Sequence, residues 1–189
     1  MIMFTFEGLE IIAVTARNLC PRPLREQIPR IREAGITRVI LREKDLSADD
    51  YTALAETVLR ACEECGVALV IHRYPEAARK LGINALHMPL PFLNADICRE
   101  FHTVGTSVHS IGQLQQAEEC GADYVTAGHI FATDCKKDLP PRGIPFLTDI
   151  CVHSSVPVYA IGGIDSEKLP QIAESGAAGA CIMSGAMLL

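Results

Sequence analysis

Residues 104–130 read VGTSVHSIGQLQQAEECGADYVTAGHI. A short β-branched run (104–109) gives way to a stretch of helical period (111–120). Gly121 stops that stretch, and a second apolar run follows (124–130). A strand, a helix and a strand in that order, with a glycine at the joint, make one β–α–β unit of a parallel sheet.

The same unit recurs on both sides. Upstream, strands are expected at residues 9–15, 38–43, 68–72 and 85–88. Helices are expected between them at 24–34, 49–65, 75–81 and 94–101, with Gly35, Gly66 and Gly82 as stops and Asn94 as an N-cap. Downstream come a polar loop at 131–143, a helix at 144–152, a strand at 157–161, a helix at 166–175 before Gly176, and a strand at 178–183. Runs as apolar as residues 158–161 imply burial on both faces, as for parallel strands under helices. Eight strands alternating with helices predict an α/β fold, a (β/α)8 TIM barrel in one domain spanning 1–189, with a truncated final helix over 186–189. The rival, an open doubly wound sheet, would carry a glycine-rich dinucleotide fingerprint after its first strand. Thr15, Ala16, Arg17 and Asn18 supply none.

Composition removes other classes. Of 189 residues, 49% are apolar, which excludes a disordered chain; the net charge of −6 and the lack of Trp argue against nucleic-acid binding. No stretch approaches the ~20 apolar residues of a membrane span, and a cytoplasmic location is expected. The eight cysteines are scattered, and Cys62 and Cys65 have no second pair or histidine at zinc spacing, so reduced thiols are expected.

Barrel sites lie at the C-terminal strand ends, where His72, His87, His109 and His129 all fall. Gly162 and Gly163 follow strand 7, while Ser184 and Gly185 follow strand 8. Glycines there let backbone N–H groups approach a phosphate closely. The loop after strand 6, a candidate lid or anion clamp, offers the Thr133 hydroxyl and the cation Lys136, which is expected to face Arg42 and Lys44 across the mouth.

Leu41-Arg42-Glu43-Lys44, the loop Ala160-Ile161-Gly162-Gly163-Ile164 and the chain length resemble the thiamine phosphate synthase/TenI superfamily. Ser107-Val108-His109-Ser110, then Gly128 to Lys137 and Arg142-Gly143, resemble its TenI branch, which contains thiazole tautomerases. The resemblance implies an isomerase acting on a carboxythiazole phosphate, with His129 moving the proton. It places Gly162, Gly163, Ser184 and Gly185 on the phosphate, with Arg42, Lys44, Ser107, His109, Thr133 and Lys136 elsewhere on the substrate. The phosphate loop is expected far enough from His129 for the ring to lie between them. In the synthase branch, aspartates after strands 3 and 4 hold magnesium against a diphosphate. Here those places read His72-Arg73 and Met88-Pro89-Leu90-Pro91-Phe92, poor ligands for a hard cation. No metal and no cofactor are therefore expected, and a synthase-type transferase stands as the alternative, beside a non-catalytic phosphate-ligand binder. A homodimer or higher homo-oligomer is expected to cover the groove left by the short last helix.

Overall fold

The computed structural model describes residues 3–133 and 139–189. Eight parallel strands close into a barrel in sequence order: β1 (Glu10–Val14), β2 (Arg38–Leu41), β3 (Ala68–His72), β4 (Ala85–Met88), β5 (Thr103–Val108), β6 (Tyr124–Gly128), β7 (Val158–Ile161) and β8 (Gly179–Ile182). Between and after them run α1 (Leu24–Glu33), α2 (Ala48–Cys65), α3 (Pro75–Leu81), α4 (Ala95–Glu100), α5 (Ile111–Cys120), α6 (Gly143–His153), α7 (Leu169–Glu174) and the single-turn α8 (Ser184–Met187). The predicted barrel is the observed one.

The two-residue period of a strand sorts side chains into two cores. Ile11, Ala13, Val39, Leu41, Leu69, Ile71, Leu86 and Val104 face outward, under the helices. The alternate residues Ile12, Val14, Ile40, Val70, Tyr124, Tyr159 and Cys181 fill the barrel interior. The same parity turns His72, His87, Ser107 and Thr126 inward at the C-terminal rim, in register across neighbouring strands: His72 pairs with His87, and Ser107 with Thr126. Hydrogen-bonding side chains at the mouth thus sit on a largely apolar floor.

Local departures from the expected elements have simple causes. The helix expected over 166–175 divides into a 3-10 turn (Ser166–Lys168), capped by the Asp165 carboxylate, and α7. Pro170, which has no N–H to donate, sits in the first turn of α7. Ser184 and Gly185 open α8 instead of lying in an open loop. That last turn is held by polar groups: the buried Gln27 Nε2 donates to the Ala186 carbonyl (2.7 Å), and Arg22 Nη1 donates to that of Leu189 (2.6 Å). Among the described residues, no helix is long and apolar enough to cross a membrane.

Candidate active site

The rim begins at β1 and β2. The Thr15 hydroxyl donates to the buried Glu43 carboxylate (2.6 Å) and accepts from the backbone N–H of Arg42 (2.9 Å). The Arg17 backbone N–H and guanidinium also donate to Glu43, each at 3.1 Å. Glu43 is therefore turned into the structure, and the alternation of the chain leaves Arg42 half-buried and Lys44 exposed on either side of it.

At the end of β3, the His72 N–H donates to the Tyr51 hydroxyl (3.0 Å), which donates in turn to the Leu41 carbonyl (2.6 Å). Burial holds the His72 imidazole far below its ordinary range, at about 3, aided by His87 and then by the positive charges of Arg42, Lys44 and Arg73. His87 is pushed down to about 4, again chiefly by burial and then by Arg42. Both rings are neutral at pH 7, and they stack with centroids 6.0 Å apart. Arg73 takes a left-handed backbone (φ 72°), and its guanidinium lies 5.9 Å over the Phe92 ring. This sector of the mouth is cationic.

On the far side, β6 ends at Gly128, two residues earlier than expected. Instead of continuing the strand, the Ile130 and Phe131 N–H groups donate to the carbonyls of Ile161 and Gly162, each at 3.0 Å. His109 Nδ1 donates to the Gly128 carbonyl (2.5 Å), and His129 Nε2 donates to that of Leu139 (3.3 Å). His109, Gly128 and His129 line a cavity of about 410 Å3, with Leu139, Pro140, Pro141 and Arg142. Gly162 (φ 103°) packs directly on His129: a Cβ there would lie 2.9 Å from the His129 Cα and nearer still to its Cβ. The expected ring-wide gap between the glycine loop and His129 is therefore absent on the backbone side, because strand 6's exit is stitched to strand 7's.

Sequence reasoning overlooked Lys168, whose ammonium donates to the Gly163 carbonyl (2.6 Å) and the Asp165 carboxylate (2.7 Å) and so braces the glycine loop. It also overlooked Tyr124, Thr126 and Glu43, though strand parity was available to place the first two. Gly185 lies toward Phe4 and Ile182. Thr133 is half-buried at the edge of the described chain, and Lys136 lies outside the described residues. Cys62, in α2, is buried with its thiol pushed up to about 12, which suits an inert core residue.

The magnesium implied by the family resemblance does not fit this rim. Among the described residues, no three His, Cys, Asp or Glu side chains are grouped to hold a metal, and the one buried carboxylate at the rim, Glu43, is occupied by Thr15 and Arg17.

Comparison with known proteins bears on the reaction. The family model described as thiamine monophosphate synthase matches residues 11–186. The thiamine-phosphate synthase of Syntrophomonas wolfei is 33% identical over 181 residues, covering 92% of this chain and 86% of the relative. That of Pyrococcus abyssi is 28% identical, covering 96% and 88%. A solved structure, the thiamine phosphate pyrophosphorylase from Pyrococcus furiosus, shares the fold with a TM-score of 0.82 at 24% identity, over 95% of this chain and 88% of that one. These relatives overturn the expected thiazole-tautomerase isomerase: over most of the chain they are named for a synthase, the transferase class that the missing aspartates had set aside. The aspartate positions bear on how an anion is held, not on which bond is made. The chain belongs to the thiamine monophosphate synthase family.

Proposed function

We propose that this barrel catalyses a thiamine-phosphate-synthase-type transfer, in which a thiazole phosphate is joined to an aminopyrimidine whose diphosphate departs. The observation that supports it is the placement of two anion-receptive sectors on opposite walls of one mouth. Arg42, Lys44 and Arg73 surround His72 at β2 and β3, and Gly162 and Gly163 follow β7, diametrically across the closed barrel from β3. Such a transfer must hold two anions at once. The ring nitrogen of the thiazole bonds to the methylene carbon of the pyrimidine as that carbon's bond to the diphosphate oxygen breaks, and the diphosphate leaves with the electron pair. Cations already in place at the leaving oxygens stabilise that charge as it develops. Gly162, Gly163, Ser184 and Gly185 are assigned to the monophosphate, Ser107 to the diphosphate, and His109, His129 and Thr133 to the ring systems between the two anions.

A second reading, a phosphate-ligand binder without turnover, is favoured by one observation: the ends of β3 and β4 present His72, Arg73, Pro89 and Phe92, with no carboxylate for a metal. One experiment separates the two. The protein is incubated with both substrates, and thiamine phosphate and free pyrophosphate are quantified together. Equimolar products support the transfer. Saturable binding of both substrates without product supports the second reading, and binding of neither overturns both. Self-association belongs to the same proposal, since Leu188 stands 67% exposed beside the last turn. Sedimentation at micromolar concentration tests it, and a monomer overturns it.

A further inference from the structure

The inner wall at β4, β5 and β6 holds a chain of polar groups whose proton positions follow from valence alone. His87 on β4, Gly105 on β5 and Tyr124 on β6 stand side by side in register. A Cβ on Gly105 would overlap the Tyr124 ring, so only glycine on the middle strand lets the phenol cross to His87. The Tyr124 hydroxyl meets His87 Nδ1 at 3.0 Å, His87 Nε2 meets Ser107 Oγ at 3.0 Å, and the Thr126 hydroxyl meets Ser107 Oγ at 2.9 Å.

Tyr124 is 3% exposed, and among the described residues the imidazole is the one acceptor its hydroxyl reaches. A buried hydroxyl must place its proton, so Tyr124 donates to Nδ1. A neutral imidazole accepting at Nδ1 carries its proton on Nε2, and burial keeps His87 neutral. Nε2–H therefore donates to Ser107 Oγ. Thr126 is buried too, and Ser107 is its hydroxyl's acceptor among the described residues. Two donors then fill both lone pairs of Ser107 Oγ. Its own proton must point elsewhere, and Ser107, only half-buried, has the mouth in front of it.

We infer that Tyr124, His87 and Thr126 are positioning residues that fix the Ser107 hydroxyl as an obligatory donor, so that the ligand atom seated on Ser107 must be a hydrogen-bond acceptor such as a phosphate oxygen. The ligand's identity rests on the synthase-type reading. The proton arrangement does not.

The test begins with the ligand-free protein. Long-range 1H–15N spectra of the His87 imidazole at pH 7 are expected to show the Nε2–H tautomer with an accepting Nδ1; the Nδ1–H tautomer overturns the inference. Tyr124→Phe removes the lock, so His87 is expected to populate both tautomers, and affinity for inorganic pyrophosphate, measured by calorimetry, to fall about three- to tenfold, the size of one hydrogen bond. His87→Gln, whose amide can still accept from Tyr124 and donate to Ser107, is expected to retain most of that affinity. A Tyr124→Phe protein with an unchanged tautomer and unchanged affinity overturns the role of Tyr124. Should that variant fail to fold, the wild-type tautomer and the Thr126→Val variant, expected to lose affinity by a similar factor, decide the matter. Failure of the synthase assay leaves the tautomer result standing, which keeps the two readings separable.

Discussion

Gly162 and His129 touch back to back: the side-chain position that Gly162 leaves vacant is filled by the backbone and Cβ of His129. The contact joins the exit of β6 to the exit of β7, and the paired N–H groups of Ile130 and Phe131 fasten it. Gly162→Ala must therefore either move His129 or abandon a φ of 103°, a region that costs a residue with a Cβ about 1–3 kcal/mol. The expected outcome is a lower melting temperature together with weakened binding of inorganic phosphate. Calorimetry and thermal unfolding on the same preparation check it, and a variant with unchanged stability and affinity would show that the two loops are not coupled.

Thr15 plays a similar part on the opposite wall. Its hydroxyl is shared between the Glu43 carboxylate and the Arg42 N–H. Thr15→Val keeps the shape but strips one donor from a buried carboxylate and one acceptor from the backbone of the cation beside it. Leaving such groups unpaired costs roughly 1–3 kcal/mol. Urea unfolding should show that loss, and pyrophosphate affinity should fall because Arg42 loses its anchor. A loss of stability with full affinity would place Arg42 outside the anion site.

The barrel, its strand order and the inward parity of β3 to β6 were legible in the sequence, because a period of two and the glycines after α1, α2, α3, α5 and α7 are local signals. Residues 129 and 130 were misassigned to a strand for a non-local reason: the N–H groups of Ile130 and Phe131 are drawn to the carbonyls of Ile161 and Gly162 at the exit of β7. The Tyr124–His87 contact was illegible one residue at a time, since it depends on a missing side chain at Gly105 between them. The motif around His129 was prominent, yet it marked a loop packed on Gly162 and did not name the bond being made. The relatives, named for a synthase, point to the transferase class.

Metal dependence follows from the rim's donors. With His72 and Arg73 ending β3, and with Glu43 held by Thr15 and Arg17, positive charge on the diphosphate side comes from guanidinium and ammonium groups. Pyrophosphate affinity should be the same in EDTA as in millimolar magnesium. Binding that requires magnesium would show that a metal site is assembled with residues outside those described.

Acid sensitivity should be set by the two stacked imidazoles. Burial, the first cause for both, lowers His72 to about 3 and His87 to about 4, against an ordinary value near 6.5. Because the folded-state values are the lower ones, the unfolded chain takes up protons that the folded protein refuses once the pH drops below about 6.5. Stability is therefore flat in these groups above pH 7, declines as the pH falls through 6.5, and keeps declining until the folded values are reached. At pH 5 each imidazole costs on the order of 2 kcal/mol by linkage. The carboxylates held low by arginine, Asp45 and Glu100, also lose stabilisation on acidification, but only below the ordinary carboxylate range, so the window between pH 7 and 5 belongs to the histidines. Urea midpoints across that window should fall in the native protein. The slope should shrink in His72→Gln and His87→Gln. A native protein equally stable at pH 7 and pH 5 would mean that both rings accept protons in place, and the buried, neutral state of His72 and His87 would then be wrong.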